Sequence, residues 1–88
     1  MNKIVVIKAS WCGPCKTYAP VVQDATEEIK AKGFDVEFLD ADENKDFCQT
    51  HNIRGVPSTL IIKNGEVVKT LVGAQSKERL LSEIISKI

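Results

Sequence analysis

The sequence predicts an α/β fold with elements in the order β-α-β-α-β-β-α, a central four-stranded mixed sheet flanked by three helices. Three observations carry that prediction. The apolar run Ile4-Val5-Val6-Ile7 is followed by a long segment of helical periodicity and then by a strictly alternating segment. Two further apolar runs meet at Asn64-Gly65, the pair best suited to a tight hairpin. A last stretch with leucines and isoleucines at helical spacing closes the chain.

Residues 3–9 are apolar almost throughout, as a strand buried on both faces requires, and Ser10 bounds them. A helix opens around Gly13-Pro14, since proline suits a first turn where no backbone N–H is needed. Tyr18, Val22, Ala25 and Ile29 then recur on one face until Gly33 stops the helix, and Pro20 is expected to kink it. Phe34, Val36 and Phe38 alternate with Asp35 and Glu37, the pattern of a half-buried strand. A short helix over 43–51 is expected to start from Asp42 as N-cap. Residues 58–63 and 66–72 form the hairpin. Ser76 caps a final helix whose Leu80, Leu81, Ile84, Ile85 and Ile88 make one apolar stripe. A helix between the first two strands makes them a parallel pair, and the hairpin adds antiparallel ones.

Length and composition set limits. The 88 residues suit one domain, 1–88, of 43% hydrophobic and 27% charged residues. Twelve Lys and Arg balance twelve Asp and Glu, so no basic excess marks a nucleic-acid partner. Lys8 ends the first apolar run too early for a signal peptide, and no stretch reaches the length of a membrane span. A cytoplasmic protein is expected, in a reducing compartment where a close cysteine pair is catalytic or metal-binding rather than structural. Three cysteines, an odd number, fit that expectation better than a closed disulfide framework.

Trp11-Cys12-Gly13-Pro14-Cys15 carries the chemistry. Two cysteines separated by two residues at a strand–helix junction can close a disulfide and reopen it by thiolate attack. Cys12 falls at the helix N-terminus, where free N–H groups and the macrodipole favour a thiolate. Cys15 falls one turn inside, suited to resolve a mixed disulfide. Gly13 permits the tight loop, Pro14 stiffens it, and Trp11 offers a flat apolar surface to a partner.

Trp-Cys-Gly-Pro-Cys-Lys at 11–16 resembles the active-site signature of thioredoxins without a change. Ile53-Arg54-Gly55-Val56-Pro57, Lys63-Asn64-Gly65-Glu66 and Val72-Gly73-Ala74 resemble further segments of that family in order and spacing, as does Pro20. The resemblance spans nearly the whole chain. It implies a minimal thioredoxin fold, with Cys12 as exposed nucleophile and Cys15 as resolving thiol. Pro57 would be a cis-proline packed against the disulfide, leaving the Val56 backbone to pair with an extended substrate. Trp11, Gly73 and Ala74 would complete the groove. The resemblance further implies a monomer without a bound cofactor or metal, acting on disulfide-containing proteins. Its electrons would come from a thioredoxin-reductase-type or glutathione-linked donor.

The chain departs from the pattern in three places. It starts at the strand before the active site, without the leading strand and helix of ordinary thioredoxins. Val6 stands where the family commonly has a buried Asp that handles the resolving thiol's proton, and Phe38 where a partner Lys often accompanies it. Both are missing together, consistent with the cost of one buried charge without the other. Deprotonation of Cys15 is then left to water or to the departing thiolate. Lys8 occupies a position where the family often has Trp. It is expected to snorkel at the strand end, with stabilisation of the Cys12 thiolate as the other possibility.

Other readings compete. Cys12 and Cys15 with Cys48 and His51 spell a four-ligand zinc set by spacing, although ligation would tie up the redox pair. Otherwise Cys48 is a small buried hydrophobe and His51 a surface residue at a helix C-terminus. A glutaredoxin-like reductase suits the small size, but Gly13-Pro14 differs from the Pro-Tyr typical between glutaredoxin cysteines. A non-catalytic docking module would use the same groove without needing Cys12.

Overall fold

A computed structural model describes all 88 residues. The elements are β1 (Lys3–Lys8), α1 (Gly13–Ala31), β2 (Asp35–Asp40), α2 (Lys45–Thr50), β3 (Ser58–Lys63), β4 (Glu66–Val72) and α3 (Lys77–Ile85). The strands form one sheet in the order β2-β1-β3-β4. β1 runs parallel to β2 and antiparallel to β3, and β3 is antiparallel to β4. The expected α/β architecture, a four-stranded mixed sheet with three helices, is the one observed.

Local chemistry accounts for most boundaries. In β1, Ile4, Val5, Val6 and Ile7 are all at most 1% exposed, as a strand covered on both faces must be. Asn64 and Gly65 both adopt positive φ, 55° and 81°, the backbone of the primed turn that suits the twist of a hairpin. The main core lies between α1, α3 and one face of the sheet. Tyr18, Val22, Ala25 and Ile29 of α1 meet Ile4, Val6, Ile61 and Leu71 there, with Leu80 and Ile84 of α3. Each large side chain in it contributes about 1.5–3 kcal/mol by leaving water. The helix continues through Pro20 to Ala31. Lys77 joins α3 to α1, its ammonium donating to Glu28 at 2.9 Å and Asp24 at 3.2 Å. The opposite face of the sheet carries a smaller cluster of Val5, Ile7, Leu60 and Ile62, beneath α2.

Two expectations are corrected. The second helix starts at Lys45 with Asn44 as N-cap, not from Asp42. The Asp40 carboxylate accepts the backbone N–H groups of Asp42 and Glu43 at 2.8 and 3.3 Å, making a turn there instead. In the last helix Ser76 does cap, accepting from the Arg79 N–H at 3.1 Å. The apolar stripe is narrower than its spacing predicts. Leu80 and Ile84 are buried, Leu81 is half-buried, and Ile85 and Ile88 lie 55% and 64% exposed. α3 stops at Ile85, and one sheet face has room for only its inner edge.

Candidate active site

The cysteine pair sits where β1 hands over to α1. The Cys12 N–H donates to the Ala9 carbonyl at 3.2 Å, turning the chain so that Cys12 becomes the N-cap of α1. Its sulfur then accepts the Cys15 N–H at 3.1 Å, as a serine or aspartate oxygen does at other helix starts. Pro14 occupies the first turn, where its missing N–H costs nothing. No acidic residue shares that turn, so the only group placed to take up the helix's N-terminal positive potential is Cys12. Cys12 and Cys15 are joined as a disulfide, their Cα atoms 5.3 Å apart.

Both cysteines are 4% exposed, which corrects the expectation of an exposed Cys12 and a more buried Cys15. The bonded sulfurs cover one another, and Ala9 and Val56 pack over the pair. The rest of the signature is exposed, with Trp11 at 69%. Its indole N–H donates to the Asp42 carboxylate at 2.9 Å.

The Val56–Pro57 peptide is cis, as the resemblance implied. Pro57 is buried and Val56 half-buried against the disulfide. Neither the N–H nor the C=O of Val56 makes any hydrogen bond within the protein. Two flanking contacts hold this loop. The Ser58 hydroxyl donates to the Gly55 carbonyl at 2.6 Å, and the Gly73 N–H donates to the Pro57 carbonyl at 2.8 Å. The second bond brings Gly73, at φ +89°, beside Pro57, with Ala74 exposed next to it. Gly13 and Pro14 thus lie between the cysteines, Trp11 precedes them and Val56 packs on them, while Gly73 and Ala74 follow β4 beside Pro57.

Sequence reasoning missed the wall of a shallow cleft of about 250 Å³ between Trp11 and Val56. Ala41, Cys48, Ile53 and Arg54 line it. Ile53 and Arg54 lie in a segment singled out for its resemblance, but nothing local marks Ala41 or Cys48 as neighbours of Trp11. Cys48 is half-buried rather than buried, and burial pushes its thiol pKa up from the usual range. His51 caps the C-terminus of α2, with its ring on Phe47 at a centroid distance of 4.4 Å. No three His, Cys, Asp or Glu side chains gather closely enough to hold a metal ion, so the zinc spacing is not matched by geometry. Lys8 ends β1 half-buried, opposite Asp40, and shares a small depression with Cys15.

Val6 and Phe38 are register partners on β1 and β2, so the two departures from the family pattern stand side by side. Val6 is 1% exposed and Phe38 packs against the same core. These two positions thus form an apolar pair in the main core, with no charged group at either.

Comparison with known proteins agrees with this geometry. A thioredoxin from Bacillus subtilis is 39% identical over 79 residues, covering 90% of this chain and 74% of that protein. One from Staphylococcus epidermidis is 38% identical over 85 residues, covering 97% and 80%. Among solved structures, a point-mutant thioredoxin from Halobacterium salinarum superposes with a TM-score of 0.88 at 33% identity, over 97% of this chain and 73% of that one. Fasciola hepatica thioredoxin gives 0.86 at 28% identity, over 97% and 79%. With the thioredoxin family model matching residues 1–86 as well, the chain belongs to the thioredoxin family and is a thiol–disulfide oxidoreductase.

Proposed function

We propose that the protein reduces disulfides of protein substrates, with Cys12 as nucleophile and Cys15 as resolving thiol. In the reduced form the Cys12 thiolate attacks a substrate sulfur. A Cys12–substrate disulfide forms, and the first substrate sulfur leaves as a thiolate. Cys15 then attacks Cys12 Sγ, forming the Cys12–Cys15 bond and releasing the second substrate sulfur. Two electrons pass to the substrate, and the Cys15 proton goes to water or to the departing thiolate.

The observation that carries this assignment is the placement of Cys12 Sγ at the N-cap of α1, beside a Val56 backbone with nothing bound to it. The first feature favours the thiolate, and the second offers an extended substrate one N–H and one C=O beside the disulfide to be exchanged. Trp11, Gly13, Pro14, Gly73 and Ala74 form the apolar and backbone surround of that groove. The protein acts as a monomer, without a bound cofactor, in the cytoplasm. No helix is long and apolar enough to cross a membrane. Its electrons come from a thioredoxin-reductase-type donor, in keeping with Gly13-Pro14 between the cysteines.

Reduction of insulin disulfides, driven by NADPH with thioredoxin reductase or by glutathione with glutathione reductase, tests both parts. Turnover with the first couple and its loss in Cys12→Ser are expected. Turnover with glutathione alone would reassign the donor. Unchanged function in Cys12→Ser would replace the enzyme by a docking module.

A further inference from the structure

The core contains one buried polar pair that the exchange chemistry above does not use. The Tyr18 and Thr59 hydroxyls lie 2.7 Å apart, with the residues 1% and 0% exposed. Across the sheet, Phe38, Val6, Thr59 and Leu71 form one rung through all four strands. Thr59 thus stands directly beside Val6, and Tyr18 reaches it from α1. Theirs is the only hydrogen bond joining α1 to the sheet.

Packing alone does not call for these hydroxyls. A buried hydrogen bond offsets the desolvation of its partners by little, and replacing both by apolar groups of the same shape is nearly neutral. What the pair adds over apolar contact is direction, since the bond fixes how α1 sits on β3. Tyr18 lies one turn beyond Cys15 on the buried face of α1, and Thr59 two residues beyond Pro57. The two elements it joins are those that carry the resolving thiol and the substrate groove.

We propose that Tyr18 and Thr59 are positioning residues, a hydroxyl latch that holds the Cys15 turn of α1 against the Val56–Pro57 end of β3. The proposal rests on the resolving role given to Cys15. Resolution needs Cys15 Sγ in line with the Cys12–substrate bond, and small displacements of such a geometry are expensive in rate. Attack by Cys12 needs the same line, but the incoming disulfide is free to turn to meet it, so that step demands little of the seat of α1. The latch therefore acts on the second exchange and not on the first. Burial raises the Tyr18 phenol pKa, an effect the Thr59 bond only partly opposes, so the latch stays uncharged at working pH.

Rapid acid quenching of the reduced protein with a disulfide-bonded peptide, followed by mass analysis, separates the two steps. In Tyr18→Phe and Thr59→Val, mixed-disulfide formation at Cys12 is expected at the wild-type rate. Resolution should slow roughly three- to tenfold, the loss of one hydrogen bond in rate terms. Thr59→Ser keeps the hydroxyl and should resolve like the wild type. Resolution unchanged in Tyr18→Phe and Thr59→Val, or both steps slowed alike, would overturn the latch. A wild-type protein that reduces no peptide would instead overturn the proposed function.

Discussion

The indole N–H of Trp11 is held by the carboxylate of Asp42 at 2.9 Å, tying the residue before the redox pair to the turn ahead of α2. The bond orients a ring that is mostly exposed and would otherwise turn freely at the mouth of the cleft. Asp42→Ala should therefore lower kcat/KM for insulin reduction about two- to fivefold, the scale of one exposed hydrogen bond. Asp42→Asn, which keeps an acceptor, should stay near wild type. Trp11 fluorescence anisotropy checks the cause, since only the alanine variant should free the ring.

Val6 and Phe38 set up a second prediction. A carboxylate introduced by Val6→Asp would be buried between Phe38 and the uncharged Thr59 hydroxyl. Stability at pH 7, read by urea unfolding, should drop by roughly 3 kcal/mol or more. The sign of its pH dependence follows from desolvation, which raises the folded-state pKa of the new carboxyl above its unfolded value. The penalty is then present at neutral pH and disappears as pH falls below the unfolded pKa. Adding Phe38→Lys should recover part of the loss at pH 7, and a failure to do so would show that the two side chains do not meet.

Cys48 gives a third. Burial raises its thiol pKa, so the folded chain holds the proton more tightly than the unfolded chain does. Its contribution to stability is accordingly lost as pH rises through the ordinary thiol range. Iodoacetamide should alkylate Cys48 of the folded protein at pH 8 more slowly than in the urea-unfolded chain, with the Cys12 and Cys15 thiols blocked as their disulfide. Equal rates would remove burial as the controlling factor.

Features that depend on near neighbours in the chain were legible in the sequence. The bounds of β3 and β4 follow from two apolar runs and an Asn-Gly turn. The buried face of α1 follows from the spacing of Tyr18, Val22, Ala25 and Ile29, and the cap at Ser76 from the residue that starts its helix. The chemistry of the cysteine pair is likewise local, because three residues and a helix terminus define it.

Distant contacts were not legible. Asp42 reads as a helix cap, whereas its carboxylate meets Trp11, 31 residues away. Tyr18 looks like any apolar core position until Thr59, 41 residues away, meets its hydroxyl. Ile85 and Ile88 fit the helical stripe, yet the sheet they would cover is already filled by Leu80 and Ile84.

The same division runs through the Cys12–Cys15 site. Sequence determined that a thiol would stand at the N-terminus of α1 with a second thiol one turn on, since spacing and helix geometry suffice for that. Only tertiary structure decided what faces them. The Gly73 N–H on the Pro57 carbonyl and Val56 against the sulfurs depend on where β3 and β4 fall beside β1. That placement is settled by burial and hydrogen bonding across the whole sheet, energies that no short segment of the chain contains.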